Sequence, residues 1–201
     1  MSKTFKPLSK QPDLSEAHKF LIENPTLAEE SVPMDVLFVG AGPAGLAGAI
    51  KLAQLVKDDP DLSDIEIGVL EKAESLGGHT LSGAVINPVA LKELFPDLNE
   101  KDFPFKTKVE GEAVYMLTEN GKIRLPTPPT MQNHGNYSAS LCEVVRWMGE
   151  KAEELGVNVF TSFPADSLLV QDGKVVGTRT CLLYTSPSPR DQRGSRMPSS
   201  A

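Results

Sequence analysis

MDVLFVGAGPAGL, residues 34–46, decides the fold. Met34 to Val39 is an apolar run bounded by Pro33 and Gly40, the pattern of a strand buried on both faces. Gly40-Ala41-Gly42-Pro43-Ala44-Gly45 then satisfies G-x-G-x-x-G. In that pattern the first glycine makes a tight turn, the second lets backbone approach a pyrophosphate, and the third lets helix and strand pack closely. Pro43 to Val56, rich in Ala and Leu, reads as a helix with Pro43 in its first turn. A pyrophosphate would sit on that helix N-terminus, where unpaired N–H groups and the helix dipole favour negative charge. A glycine-rich turn with no ligand is the plainer alternative.

Downstream, Asp58 to Asp64 is an acidic loop and Ile65 to Leu70 (IEIGVL) reads as a second strand ending at Glu71. Strand, glycine turn, helix and strand in that order make half of a doubly wound α/β unit. Glu71 stands where a ribose hydroxyl could be bound, slightly later than the usual spacing of about 20 residues. The acidic loop accounts for the excess. Gly77 to Gly83 (GGHTLSG) is a second glycine-bearing loop. Asn87 to Phe95 reads as a short helix with Asn87 as N-cap and Pro88 at its first position. Ala113–Leu117 and Lys122–Leu125 suggest a hairpin closed around Asn120-Gly121. Leu141 to Leu155 has Val144, Val145, Met148, Ala152 and Leu155 at helical spacing, with Gly156 as its stop. Val157–Phe160, Ser167–Gln171 and Lys174–Thr178 read as strands, the last two joined by Asp172-Gly173. Upstream, residues 1–33 look like a polar arm with a possible short helix over Leu14–Ile22. The expected organisation is therefore a Rossmann-like domain over 34–83 and 141–180. Residues 84–140 form an inserted, interleaved α+β part of a second domain.

The 201 residues carry 20 Lys+Arg against 27 Asp+Glu, a net charge of -7, which argues against a nucleic-acid partner. A hydrophobic fraction of 40% is enough for a core, and no apolar run approaches the ~20 residues of a membrane span. Met1 to Lys10 has neither an apolar segment nor an Arg, which argues against a secretory signal and weakens a transit peptide. Two cysteines, Cys142 and Cys181, supply neither a disulfide framework nor an iron–sulfur ligand set.

Composition changes abruptly at Cys181. CLLYTSPSPRDQRGSRMPSSA, residues 181–201, is rich in Ser, Pro and Arg. Back-translated, Cys181–Asp191 and Ser195–Ala201 resemble the two ends of a sequencing adapter, separated by an index-length stretch. The expectation is a non-native tail replacing the natural continuation after Thr180, so that the domain is truncated.

GAGPAGL followed by EKAESLGG resembles the FAD-binding start of glutathione-reductase-like flavoproteins. VLEKAESLGGHTLSGAVINPVALKELFPD and NHGNYSASLCEVVRWMGEKAEELGVNVF narrow the resemblance to the electron transfer flavoprotein–ubiquinone oxidoreductase family, with HTLSGA and NHGNY as the discriminating words. The resemblance implies FAD held by Gly40, Ala41, Gly42, Pro43, Ala44 and Gly45, by Glu71 and Lys72, and by Gly78, His79, Thr80, Leu81, Ser82 and Gly83. It also implies a [4Fe–4S] cluster whose ligands are absent here, and electron transfer flavoprotein and ubiquinone as partners. Its expected location is peripheral, on the cytoplasmic face of a bacterial inner membrane or on the mitochondrial inner membrane. Such chemistry belongs to the cofactor, in keeping with a chain that has no CxxC, HExxH or G-x-S-x-G. A geranylgeranyl-reductase-like flavoenzyme and a non-enzymatic dinucleotide-binding module are the alternatives.

Some residues keep two readings. His79, Thr80 and Ser82 could contact flavin or phosphate, or only shape the turn. His134 and Asn136 could flank the isoalloxazine or form a structural turn. Cys142 and Trp147 read as core. Leu91, Leu94 and Phe95 form one apolar stripe, suited either to a membrane interface or to the protein's own core.

Overall fold

The computed structural model describes residues 19–26 and 31–181. The tail after Cys181, the start of the arm and most of the short helix expected near Leu14 lie outside the described residues. Leu21–Glu23, where that helix was to end, is instead a strand, β1. Its parallel partner lies more than 140 residues away in sequence, so no local pattern announces it.

Pro33–Ser162 is one compact unit. Its frame is β2 (Val36–Val39), α1 (Pro43–Val56) and β3 (Ile67–Leu70), the strand–helix–strand order read from the sequence. The two strands pair in parallel, Val36 opposite Ile67 and Val39 opposite Leu70. All four residues of β3 are buried, as expected for the middle strand of a parallel sheet. Next come β4 (Ala84–Ile86), α2 (Val89–Leu94), β5 (Thr107–Lys108), β6 (Val114–Thr118), β7 (Gly121–Leu125), β8 (Tyr137–Ala139), α3 (Leu141–Glu154) and β9 (Asn158–Phe160). β9 joins the other edge of β3, giving the parallel order β2-β3-β9. β4, β8 and β5 form a separate antiparallel sheet.

The core lies between helices and sheet. Leu46 and Ile50 of α1, Val69 of β3 and Val145 and Met148 of α3 are essentially inaccessible. Each fully buried side chain of this kind is worth roughly 1.5–3 kcal/mol of transfer free energy. Two glycines permit close packing: a Cβ on Gly48 would come within 2.8 Å of the Phe38 ring, and one on Gly149 would collide with Leu76.

The apolar stripe of α2 packs on this core. Leu91, Leu94 and Phe95 are only 8%, 8% and 9% exposed, and Phe95 meets Trp147 edge-on with ring centroids 5.0 Å apart. The membrane reading of this stripe is thereby corrected. A 3.6-residue period announces one covered face without saying what covers it. The helix starts one residue later than its sequence suggests, with Pro88 as cap, although the Asn87 side chain still accepts the Val89 N–H at 3.1 Å. The β6–β7 hairpin turns at Glu119-Asn120, one residue before the expected Asn120-Gly121, since Thr118 pairs with Gly121.

The second unit contains β1 with β10 (Ala165–Gln171) and β11 (Lys174–Thr180), in the order β1-β10-β11. Asp172 and Gly173 both have positive φ, 50° and 73°, the geometry that a tight two-residue hairpin requires. In the bulge between Ala165 and Ser167, Arg179 and Ser167 both donate hydrogen bonds to Asp166 Oδ2, at 2.6 and 2.7 Å.

Candidate dinucleotide site

The glycine turn sits at the carboxyl ends of β2 and β3, the edge of an α/β sheet where ligands bind. Gly40 continues the sheet by donating its N–H to the Leu70 carbonyl at 2.7 Å, then turns with φ +103°, a conformation that favours glycine. Gly45 is locked against it, because a Cβ there would collide with the Gly40 carbonyl oxygen.

Gly42 is different. Its backbone, φ -76° and ψ 176°, suits any residue, and a Cβ built on it meets no atom within 4 Å. The protein's own packing gives no reason for glycine here. Gly42 is the N-cap of α1 yet offers no side-chain cap, Pro43 opens the helix, and no acidic residue occupies the first turn. The initial N–H groups of this 14-residue helix thus have no acidic side chain of its own first turn against them, which suits an anion. Ala41 is buried, while Pro43 and Ala44 are exposed beside the turn.

Glu71, half-buried, reaches this turn directly. One carboxylate oxygen accepts the Ala41 N–H at 3.0 Å and the other accepts the Ala73 N–H at 2.8 Å. Its own N–H is fixed to the Phe160 carbonyl of β9 at 2.8 Å. Lys72 follows, half-buried.

The second loop is held by α3. Gly77 has φ +75°, and a Cβ there would lie 2.7 Å from the Cys142 carbonyl oxygen. The Cys142 thiol donates to the Thr80 carbonyl at 2.8 Å, and Arg146 Nε donates to the Leu76 carbonyl at 3.2 Å. Thr80 N–H returns to Gly77 O at 3.0 Å and Gly78 N–H to Ser75 O at 3.1 Å. This leaves Gly78, His79, Leu81, Ser82 and Gly83 exposed, Leu81 by 85%. An apolar side chain so exposed beside a glycine loop is available to an apolar ligand surface. Cys142 and Arg146 are the residues that sequence reasoning missed as loop supports: Cys142 is half-buried and acts through its thiol rather than as inert core filling. Nothing short of the α3–loop contact reveals that.

NHGNY forms a closed turn. His134 Nδ1 lies 2.8 Å from the Glu110 carbonyl, Asn136 Nδ2 donates to Asn133 Oδ1 at 3.2 Å, and Gly135 carries φ +86°. These bonds serve the loop that brings the chain back into β8.

Comparison with known proteins agrees with this geometry. Residues 39–94 match the NAD(P)-binding Rossmann-like domain family. The chain is 49% identical over 152 residues to the mitochondrial electron transfer flavoprotein-ubiquinone oxidoreductase of Dictyostelium discoideum, covering 75% of this chain and 25% of that protein. The resemblance to that family holds. The Homo sapiens protein of the same name is 47% identical over 156 residues, covering 76% and 24%. The probable enzyme of Acinetobacter baylyi is 44% identical over 160 residues, covering 77% and 28%. The chain thus spans about a quarter of the length of these oxidoreductases. Among solved structures, a geranylgeranyl bacteriochlorophyll reductase-like protein of Thermoplasma acidophilum superposes with a TM-score of 0.53 at 22% identity, covering 73% of this chain and 34% of that one. CtdE in complex with FAD and substrate gives a TM-score of 0.50 at 16% identity, covering 73% and 36%. These likenesses establish the Rossmann-like α/β fold.

Proposed function

We propose that Gly40–Gly45, Glu71 and the loop 77–83 hold FAD, and that the chain is the FAD-binding part of an electron transfer flavoprotein–ubiquinone oxidoreductase. The observation that carries the reading is Gly42, a glycine with ordinary dihedrals and empty space where its side chain would be, capping an uncapped helix. The N-terminus of α1 would hold the pyrophosphate, Glu71 the adenosine ribose, and the loop His79–Gly83 the flavin end. Names at 44–49% identity favour this oxidoreductase over other flavoproteins of the fold.

When bound, FAD would supply the redox chemistry, carrying electrons from a reduced donor to an acceptor. The chain's own contribution is binding and orientation. The helix N-terminus offsets the pyrophosphate charge, Glu71 accepts ribose hydroxyls, and α3 holds the loop through Cys142, Gly77 and Arg146. A [4Fe–4S] cluster needs about four thiolates, and this sequence has two cysteines. No group of three metal-binding side chains occurs among the described residues. These residues do not fit a cluster.

A quinone substrate calls for access to lipid. No helix among the described residues is long and apolar enough to cross a membrane. The β6–β7 hairpin offers a surface instead, exposing Tyr115, Met116, Leu117, Ile123 and Leu125. The test uses the full-length protein with reduced electron transfer flavoprotein as donor and a ubiquinone analogue as acceptor. Donor-dependent quinone reduction is expected. A flavin-loaded protein that reduces no quinone would refute the oxidoreductase assignment.

A further inference from the structure

Glu71 has a role that precedes any ligand. Ala41 and Ala73 are 2% and 6% exposed, and each gives its N–H to a different oxygen of the same carboxylate. Without that carboxylate, two donors on buried residues would lose their partners, a cost the protein bears whether or not a cofactor is present. The anchoring is continuous: Glu71 N–H is bonded to Phe160 O, Ala73 O accepts the Ser162 N–H at 2.9 Å, and Gly40 N–H is bonded to Leu70 O. Ala41 is the residue between the two glycines that shape the phosphate turn. We propose that Glu71 is a positioning residue, a strut that fixes the Gly40–Gly42 turn in its binding shape before the dinucleotide arrives. This deepens the FAD reading and rests on it for the identity of the ligand. An ionised carboxylate has about four acceptor positions, so two remain for ribose hydroxyls.

Glutamine separates the strut from the ribose contact. Its amide can still accept from one ribose hydroxyl and donate to another, but it has one oxygen for two backbone donors. The experiment compares amide hydrogen exchange of the FAD-free full-length protein, wild type and Glu71→Gln, and then FAD binding kinetics by stopped flow. The strut predicts faster exchange at Ala41 and Ala73 in E71Q, with amides of β3 and α1 unchanged. It also predicts a fall of about tenfold in the FAD association rate, with dissociation little altered, the worth of one hydrogen bond made beforehand. Unchanged exchange with faster dissociation would overturn it and leave Glu71 as a ribose ligand alone. If E71Q loses its fold, the wild-type protein decides: a protected Ala41 amide in the FAD-free state supports the strut, and an unprotected one overturns it. A wild-type protein with a protected Ala41 amide that binds no FAD would refute the cofactor reading while leaving the strut standing.

Discussion

Two glycines three residues apart do different work. Gly45 is demanded by the chain itself, since any side chain there strikes the Gly40 carbonyl. Gly45→Val should therefore destabilise the protein even without cofactor, by about 1–3 kcal/mol or more as for an overpacked core, read as a lowered midpoint in urea. Gly42→Val should cost less, about 0.5–1 kcal/mol, because its Cβ meets no atom within 4 Å and the loss is confined to a poorer helix cap. The glycine pattern was legible in the sequence because its requirement is local. What separates the two positions was not, because it depends on which backbone atoms surround each Cβ. The same holds for Glu71: its place at the strand end could be read, whereas its bonds to Ala41 and Ala73 needed the fold.

At the scale of elements, α2 buries its apolar stripe in the core, whereas the β6–β7 hairpin leaves Tyr115, Met116, Leu117, Ile123 and Leu125 exposed. Leu94→Glu should cost the fold rather than membrane affinity, at least ~3 kcal/mol for an unpaired charge in a site 8% exposed, and should also lower flavin content. Leu117→Glu with Ile123→Glu should leave stability and flavin content intact and abolish co-sedimentation with lipid vesicles. Vesicle binding that survives the double change would exclude the hairpin. Amphipathic periodicity found α2 and α3 but could not name their partners. β1 escaped because three residues, Leu21–Glu23, become a strand only through a distant neighbour. In the β10–β11 hairpin, Arg179 beside Asp166, with help from the Ser167 hydroxyl, holds the Asp166 carboxyl below its usual range. The folded value lies below the unfolded one, so this contribution is fully present above the unfolded pKa of about 3.9 and is lost as pH falls through the folded value. Thermal melts of wild type and Asp166→Asn should differ at neutral pH and converge as pH drops below about 4. A constant difference across that range would show that the charge is not involved.

For the molecule as a whole, Pro33–Ser162 carries the glycine turn, Glu71 and the loop beside α3 in one compact unit. Sequence order alone predicted the β2-α1-β3 frame, because a strand, a glycine turn and a helix leave little topological freedom. The central claim is that the Gly40–Gly45 turn binds FAD and that Gly42 is the point of closest backbone approach. Its most direct test is the flavin absorption spectrum and flavin-to-protein ratio of the purified full-length protein beside its Gly42→Val variant. Stoichiometric FAD is expected in the wild type and none in a variant that remains folded. A Gly42→Val protein that retains stoichiometric flavin would contradict that claim.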